Sequence, residues 1–192
     1  MYYNNFMAKI FIFRHGQTAD NLEHEFSGWH QVGLDQAGIT EAKGIGEKLK
    51  GEIVTKAYQS DLIRSQQTLE LVLNGYHQNV EVITDSRIKE RDYGDLTMQN
   101  KDEVKKNDPV HFQLWHRSYN VPPPHGESIE MVEKRVLEFL NEVIPAWGKD
   151  DIVFISASAN SIRPMRRFFE HLSIDEMCTY EYTPGKIFEY QI

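Results

Sequence analysis

The stretch Ala8-Lys9-Ile10-Phe11-Ile12-Phe13-Arg14-His15-Gly16 decides the fold, because it reads as a buried strand that ends in a charged turn. Its four consecutive apolar residues, 10–13, are typical of a strand covered on both faces. Further along the chain, strand-sized apolar runs alternate with helical spacing. This alternation predicts a three-layer α/β/α fold with a mostly parallel central sheet. Ligands bind beyond the carboxyl ends of such strands, where residues 14–16 lie.

The apolar pattern predicts five strands and six helices. The predicted strands are 8–13, 53–58, 80–84, 152–155 and 186–192, and the predicted helices are 39–49, 61–73, 101–106, 109–115, 127–147 and 160–172. Thr40 is the expected cap of the first helix, and Ser60 or Asp61 that of the second. Residues 17–36 and most of 86–124 are expected to be irregular. Nothing divides the chain, so residues 1–192 are expected to form a single domain, with 1–7 a disordered extension and Met7 an alternative start.

The composition limits the kinds of molecule that the protein is expected to bind. The 192-residue chain is 40% hydrophobic and 26% charged, with a formal net charge of −8. A negative chain disfavours nucleic acid and anionic membrane as partners, and no apolar run is long enough to span a bilayer. Its one cysteine, Cys178, allows no internal disulfide and no zinc site. We therefore expect a cytoplasmic protein in which Cys178 is a buried, inert thiol.

The motif with the most chemistry is Phe13-Arg14-His15-Gly16-Gln17-Thr18, with Asn21 three residues further on. A neutral imidazole can attack phosphorus and become a phosphohistidine. A neighbouring arginine offers planar donors for phosphate oxygens, and glycine permits close backbone approach. Taken alone, the motif fits a strand that ends in a charged turn better than it fits a catalytic site.

The rest of the chain resembles the phosphoglycerate mutase family of the histidine phosphatase superfamily. Further matching motifs follow in the family's order from about Lys9 to the C-terminus: Ser27-Gly28-Trp29, Tyr58 to Ser65, Glu90-Arg91-Asp92-Tyr93-Gly94, Asn100-Lys101, Arg117-Ser118-Tyr119 with Pro122-Pro123-Pro124, Gly126-Glu127-Ser128 and Asn160-Ser161-Ile162-Arg163. The resemblance implies a phosphoglycerate mutase-like fold.

The resemblance also implies one site. His15 would be the nucleophile, Arg14 and Arg64 would clamp the transferred phosphoryl group, and Glu90 would be the general acid or base. The alternative for Arg64 is a surface arginine, and without the family Glu90 reads equally as an ion-pair partner of Lys89 or Arg91. Further expected substrate contacts are Gly16, Gln17, Thr18, Asn21, Ser27, Gly28 and Asn160.

The resemblance is closer to the mutase branch than to the phosphatases. A mutase must hold a second anion while its substrate reorients, and Arg91, Tyr93, Lys101 and Arg117 would supply that second site. The implied substrates are phosphoglycerates, the implied phosphoryl donor is 2,3-bisphosphoglycerate, and the implied pathways are glycolysis and gluconeogenesis. No metal is expected. A homodimer is suggested by the resemblance alone.

Three positions differ from the family pattern. Ser158, an implied catalytic residue, stands where the family has a second active-site histidine. Two implied substrate contacts also differ: Ala159 stands where the family has glycine, and His116 stands where many members have arginine. His116 is expected to donate to a carboxylate, with a charge that depends on pH. Loss of one well-aimed donor costs roughly 10²–10³ in rate. Three hypotheses follow: a mutase of reduced activity, a phosphomonoester phosphatase, or a non-catalytic phosphoglycerate binder. His125 and His171 lack the spacing to replace the missing histidine. The other histidines, His24, His30, His77 and His111, are expected on the surface or in loops.

Overall fold

A five-stranded sheet forms the centre of the structure, a computed structural model that describes residues 8–76 and 80–192. The expected extension 1–7 and His77 lie outside these residues. The strands are β1 (Ala8–Arg14), β2 (Lys56–Gln59), β3 (Glu81–Thr84), β4 (Asp151–Ala157) and β5 (Ile187–Gln191). Their order is β3-β2-β4-β1-β5. All neighbouring pairs are parallel except β5, which runs antiparallel to β1.

Helices cover both faces of the sheet. Those described are α1 (Ala19–Leu22), α2 (Gln36–Leu49), α3 (Ile63–Leu73), α4 (Lys101–Asn107), α5 (Pro109–Arg117), α6 (Ile129–Val143), α7 (Ala159–Glu170) and α8 (Ile174–Thr179). Short 3-10 turns occupy Ser86–Ile88, Gly94–Leu96 and Ile144–Ala146. No helix in the described ranges is long and apolar enough to cross a bilayer.

The alternation of side chains along β1 builds two cores. Ile10 and Ile12 pack with residues of α6 and α7 on one face. Phe11 and Phe13 face the other way and pack with residues of α2 and α3. A strand directs successive side chains to opposite faces, so an unbroken apolar run requires cover on both. The predicted three-layer α/β/α fold with a mostly parallel sheet is confirmed.

The predicted cap of α2 is wrong. The helix begins at Gln36, and the Asp35 carboxylate accepts a hydrogen bond from the Gly38 backbone N–H at 2.8 Å. Thr40 lies inside the helix, where its hydroxyl donates to the Gln36 carbonyl at 2.9 Å. The apolar periodicity starts at Ile39, but the helix extends a full turn earlier because Asp35 is the better cap.

The caps predicted for α3 are also wrong. The helix begins at Ile63, and its N-cap residue is Leu62, which has no capping side chain. The Ile63 N–H instead donates to the Gln31 side-chain carbonyl at 3.0 Å. Ser60 and Asp61 both precede the cap position. A loop distant in sequence thus satisfies a helix end that local sequence does not.

Three strands end together and place the site. In the β1–β4 register Arg14 pairs with Ala157, so His15 and Ser158 follow side by side. The His15 N–H donates to the Ala157 carbonyl at 3.0 Å, which continues the ladder by one bond. On the other side of β4, Gln59 pairs with Ser156. The chain then passes from β2 into α3, whose second residue is Arg64.

Candidate active site

The His15 ring is held by two hydrogen bonds that fix its tautomer. Nδ1 lies 2.8 Å from the Gly16 carbonyl oxygen, which can only accept a hydrogen bond. Nε2 lies 3.1 Å from Nε of Arg64, which can only donate. The proton is therefore on Nδ1 and the lone pair on Nε2. Because the residue is 3% exposed, the ring has little freedom to leave this orientation.

The surroundings of His15 also fix its charge. Burial, with the nearby guanidinium groups of Arg14 and Arg64, holds the pKa of His15 well below its ordinary value of 6.5. The imidazole is therefore neutral at physiological pH. A neutral ring with a fixed lone pair is the form that attacks phosphorus.

Arg64 is fully buried, and each of its three side-chain nitrogens donates a hydrogen bond to another protein group. Besides His15, it donates from Nη1 to the His30 carbonyl at 2.8 Å and from Nη2 to the Gly28 carbonyl at 2.7 Å. In this state Arg64 orients the imidazole and holds the loop at Gly28 and His30. Its predicted contact with a transferred phosphoryl group stays a prediction.

A cavity of about 200 Å³ is lined by Arg14, Asn21, Ser27 and Gly28, among others. It is connected to the buried pair through Arg14, which precedes His15, and through the Gly28 carbonyl, which accepts from Arg64, but His15 and Arg64 are not among the residues that line it. Arg14 donates from Nη2 to the Asn21 side-chain carbonyl at 3.1 Å, whereas its buried Nε has no partner among the described residues. Arg14 was predicted to bind phosphate, and its Nε is therefore a donor that the described residues leave without an acceptor.

Glu90 lines the same cavity and is 7% exposed. Its Oε1 accepts from the Arg91 backbone N–H at 2.7 Å and from the Asn160 side-chain amide at 2.8 Å. Within the described residues it forms no ion pair. Lys89 points elsewhere, with Nζ 3.5 Å from the centre of the Trp29 ring. The geometry therefore favours the acid/base interpretation of Glu90 over an ion pair with Lys89 or Arg91.

Three of the four residues predicted to hold a second anion line the same cavity. Lys101 and Arg117 line it together with Tyr93, whose hydroxyl oxygen accepts from the Asn160 amide at 3.1 Å. Burial lowers the pKa of Lys101. Arg117 is already paired, with Nη2 2.6 Å from a carboxylate oxygen of Glu181.

Arg91, also predicted for this second anion, is fully buried. Its Nε donates to the Glu127 carbonyl at 2.6 Å. Both terminal nitrogens lack partners among the described residues. A buried guanidinium in this condition is costly unless an anion completes its hydrogen bonds. Arg91 therefore fits an anion-binding role, although it is not among the residues that line the cavity.

His116 lines the cavity as an uncharged side chain. Its ring packs against Phe26 and Phe112, with centroids 6.1 and 5.0 Å away. Burial, followed by the fields of Arg117, Lys101, Arg163 and Arg91, lowers the pKa of His116 to about 3. The pH-dependent charge expected of His116 is therefore absent at neutral pH, and this residue does not replace the cation of an arginine.

This lowered pKa predicts a pH dependence of stability. A histidine in the unfolded chain binds a proton below about pH 6.5, whereas folded His116 stays neutral down to about pH 3. The unfolded state then binds more protons, so the free energy of unfolding falls as the pH falls through this window. We expect His116→Gln to reduce that slope by as much as about 1 kcal/mol per pH unit.

Urea unfolding of both proteins at pH 7, 6, 5 and 4 measures this effect. His15 contributes in the same direction, because burial lowers its pKa too, so part of the slope remains in the variant. Equal slopes in wild type and His116→Gln would contradict the assignment.

Ser158 and Ala159 stand at the junction of β4 and α7. Ser158 is the N-cap residue of α7, yet its side chain makes no capping bond. It is fully buried, and its hydroxyl has no partner among the described residues. Ala159 lines the cavity. Neither His125 nor His171 replaces the family's second histidine here: His125 is an exposed partner of Asp95, and His171 ends α7.

Three predicted substrate contacts face other parts of the protein. A Cβ at Gly16 would overlap the backbone of Gly38, so this glycine serves a close approach of two chain segments. The Gln17 side chain donates to Asp35 at 2.9 Å. The Thr18 hydroxyl caps α1. The structure does not place these three among the residues that line the cavity.

Comparison with known proteins agrees with this geometry. A family model described as the histidine phosphatase superfamily (branch 1) matches residues 10–191. The chain belongs to this superfamily. Two curated relatives are both called 2,3-bisphosphoglycerate-dependent phosphoglycerate mutase. The one from Nitrobacter winogradskyi is 39% identical over 92% of this chain and 87% of its own. The relative from Parvibaculum lavamentivorans is 36% identical over 95% of this chain and 90% of its own.

Solved structures of the histidine phosphatase fold are also similar. YhfR from Bacillus stearothermophilus has a TM-score of 0.85 and 23% identity, covering 95% of this chain and 90% of its own. A mycobacterial glucosyl-3-phosphoglycerate phosphatase complexed with VO3 has a TM-score of 0.78 and 22% identity. The match covers 94% of this chain and 91% of the phosphatase chain. At these identities the likeness concerns the fold.

The sequence did not predict several residues that line the cavity. Those that line the cavity without having been predicted are Glu25, Phe26, Arg163, Glu181 and Tyr182. Arg163 lies three residues after Asn160 on α7, and this helical spacing places both on one face. Glu181 and Tyr182 follow α8, and no pattern in the sequence assigns them to the site. The described residues contain no cluster of three or more potential metal-binding side chains.

Proposed function

We propose that this protein is a phosphoglycerate mutase that interconverts 2- and 3-phosphoglycerate through a phosphohistidine at His15. The observation that carries the proposal is the neutral imidazole of His15, which Gly16 and Arg64 hold in one tautomer and which follows Arg14, a residue that lines a cavity together with Lys101 and Arg117. The names of relatives 36–39% identical support it. On this proposal the protein acts in the cytoplasm, in glycolysis and gluconeogenesis, and a homodimer remains part of the proposal.

The chemistry assigns one role to each central residue. In the primed enzyme, the free hydroxyl group of the bound phosphoglycerate would attack the phosphohistidine, so that a P–O bond forms as the N–P bond breaks, and Glu90 would take the proton of that hydroxyl. Nε2 of His15 would then attack the phosphorus at the other position, where an N–P bond forms as the P–O bond breaks. Glu90, as the general acid, would return the proton to the leaving oxygen. The Gly16 carbonyl accepts from Nδ1–H throughout and stabilises the positive ring.

The residues present fit 2,3-bisphosphoglycerate, the donor implied by the relatives. Unsatisfied buried donors at Arg14 and Arg91, with Lys101 on the cavity wall, suit a ligand that carries several negative charges. When bound, this compound supplies the phosphoryl group that primes His15. Arg14 would hold the group next to His15, and Arg91 and Lys101 the opposite end.

Phosphomonoester hydrolysis is the second candidate, and Ser158 is the observation that favours it. A short neutral hydroxyl in place of a histidine leaves fewer donors around a phosphorylated His15. In this reaction, water attack on the phosphohistidine would release inorganic phosphate and regenerate the imidazole.

The same substitution motivates the third candidate, a protein that binds phosphoglycerate without turnover.

A coupled assay separates these candidates. With 3-phosphoglycerate, 2,3-bisphosphoglycerate and enolase, the mutase proposal predicts product formation that exceeds the His15→Ala control. Phosphate release is measured in parallel on 3-phosphoglycerate and on other phosphomonoesters. Phosphate release faster than isomerisation would replace the mutase by a phosphatase. If the protein binds 3-phosphoglycerate but shows neither turnover nor labelling of His15, the non-catalytic binder is the candidate that remains.

A further inference from the structure

The cavity lining contains a charged side chain to which no role has been given. Arg163, on α7, is 4% exposed and lines the cavity. Its Nη1 donates to the carbonyls of Met177 and Cys178 at 2.8 and 3.0 Å, at the end of α8. Its buried Nε has no partner, and the guanidinium forms no ion pair within the described residues.

Tyr182 lies against this arginine. The centre of its ring is 5.6 Å from the Arg163 guanidinium carbon. Its hydroxyl is buried and unpartnered among the described residues, although the residue lines the cavity. Burial raises the pKa of Tyr182, so the hydroxyl keeps its proton and remains a donor at any physiological pH. A buried hydroxyl without a partner costs stability, which suggests that a ligand completes it.

The charges that line the cavity limit which kind of ligand fits. Arg117 already contacts the Glu181 carboxylate, and His116 is neutral. Besides Arg14, the cations that line the cavity without an ion pair among the described residues are Lys101 and Arg163, and the carboxylates of Glu25 and Glu90 line it too, so the net positive charge is small. A guanidinium beside a phenolic O–H offers directed donors to a planar, singly charged group such as a carboxylate.

We propose that Arg163 and Tyr182 bind the substrate's carboxylate and thereby select carboxylate-bearing phosphomonoesters over neutral ones. The positive charge that His116 lacks is supplied here from α7, at a different place in the chain. This assignment rests on the proposed function and adds to it two specificity-determining residues and a substrate class. It leaves the phosphoryl group to Arg14 and His15.

Two ligands that differ at one group test the assignment. 3-Phosphoglycerate carries a carboxylate where glycerol 3-phosphate carries a hydroxymethyl group, so calorimetric binding of each measures the contribution of the carboxylate. We expect Tyr182→Phe to bind 3-phosphoglycerate about tenfold more weakly, because a hydrogen bond to a charged group is lost. Binding of glycerol 3-phosphate should not change. Thermal stability should be equal or higher, because the variant removes an unpaired buried hydroxyl.

Arg163→Lys provides a second variant, which keeps the charge and loses the planar fork. We expect it to weaken binding of 3-phosphoglycerate by at least tenfold. Arg167→Lys is the matched control: it lies one turn further along α7, pairs with Glu133 at 2.7 Å and does not line the cavity. Its binding of both ligands should equal that of wild type.

Each outcome has one meaning. If wild type shows no preference for 3-phosphoglycerate, the proposed function fails and this assignment fails with it. If wild type has the preference and both cavity variants keep it, only this assignment is overturned. The assignment is also overturned if Tyr182→Phe weakens binding of both ligands equally. A folded Tyr182→Phe that loses only the preference supports it, even if Arg163→Lys does not fold.

Discussion

Replacement of His15 by asparagine is expected to abolish phosphoryl transfer while the fold remains intact. The asparagine amide is near in size to imidazole and can still donate to the Gly16 carbonyl and accept from Arg64, the two contacts that hold the ring. It carries no nucleophilic lone pair on nitrogen. Removal of a nucleophile costs many orders of magnitude, so we expect a loss of at least about 10⁴-fold in kcat/KM.

Labelling separates the loss of the nucleophile from a general defect. Wild type incubated with ³²P-labelled 2,3-bisphosphoglycerate should acquire an acid-labile label, whereas His15→Asn should acquire none. Binding of unlabelled 3-phosphoglycerate should stay within a few-fold of wild type, because the cavity walls are unchanged. A label on His15→Asn equal to that on wild type would place the phosphorylated residue elsewhere.

The architecture could be predicted because it follows from local patterns. An unbroken apolar run at residues 10–13 requires cover on both faces, and alternating strands and helices require parallel crossovers. The direction of β5 was not predictable in this way, because its pairing with β1 is a tertiary contact. The helix α8 was missed although its Ser173–Glu176 capping box is visible in sequence.

Long helical patterns were predicted beyond their true ends. The pattern at 127–147 continues through Pro145, but α6 ends at Val143 and a 3-10 turn follows. Proline lacks the N–H that an α-helix needs in its interior. The strand predicted at 53–58 begins at Lys56 for a different reason, since an apolar run does not fix where pairing with β4 begins.

The site was predictable where its chemistry lies in contiguous motifs. His15 and Glu90 each sit in a recognisable run; the structure places Glu90 on the wall of the cavity, and it holds His15 against Arg64 outside the set of residues that line the cavity. The charge of His116 was not predictable, since it depends on burial against Phe26 and on distant cations. Tyr182 was missed because only the fold brings the segment after α8 to this wall.

Restoration of the family's residues at β4–α7 is expected to raise the mutase rate. The variant Ser158→His with Ala159→Gly returns an imidazole donor next to His15, which follows the neighbouring strand. It also removes a methyl group from the cavity wall. One well-aimed donor to a developing charge is worth roughly 10²–10³ in rate. We expect a rise of that size in kcat/KM in the enolase-coupled assay.

The two single variants and Ser158→Gln complete the test. Ser158→Gln adds a neutral side chain of similar length, so a gain in this variant as large as with histidine would show that size, not imidazole chemistry, limits the rate. If Ala159→Gly alone gives the whole rise, the defect lies in backbone access. Strong coupling between the singles is expected because the two residues are adjacent and share one ligand.

The balance between isomerisation and phosphate release shows which reaction the added histidine favours. The Ser158 hydroxyl is buried and unpartnered, so the wild-type site contributes one short donor at that point. If histidine raises isomerisation far more than hydrolysis, the extra donor stabilises transfer between substrate and His15, and the scaffold is a mutase with one weakened contact. If both rates rise equally, the scaffold does not discriminate against water, and the phosphatase assignment is preferred. If the folded double variant shows no rise in either rate, residue 158 does not limit catalysis.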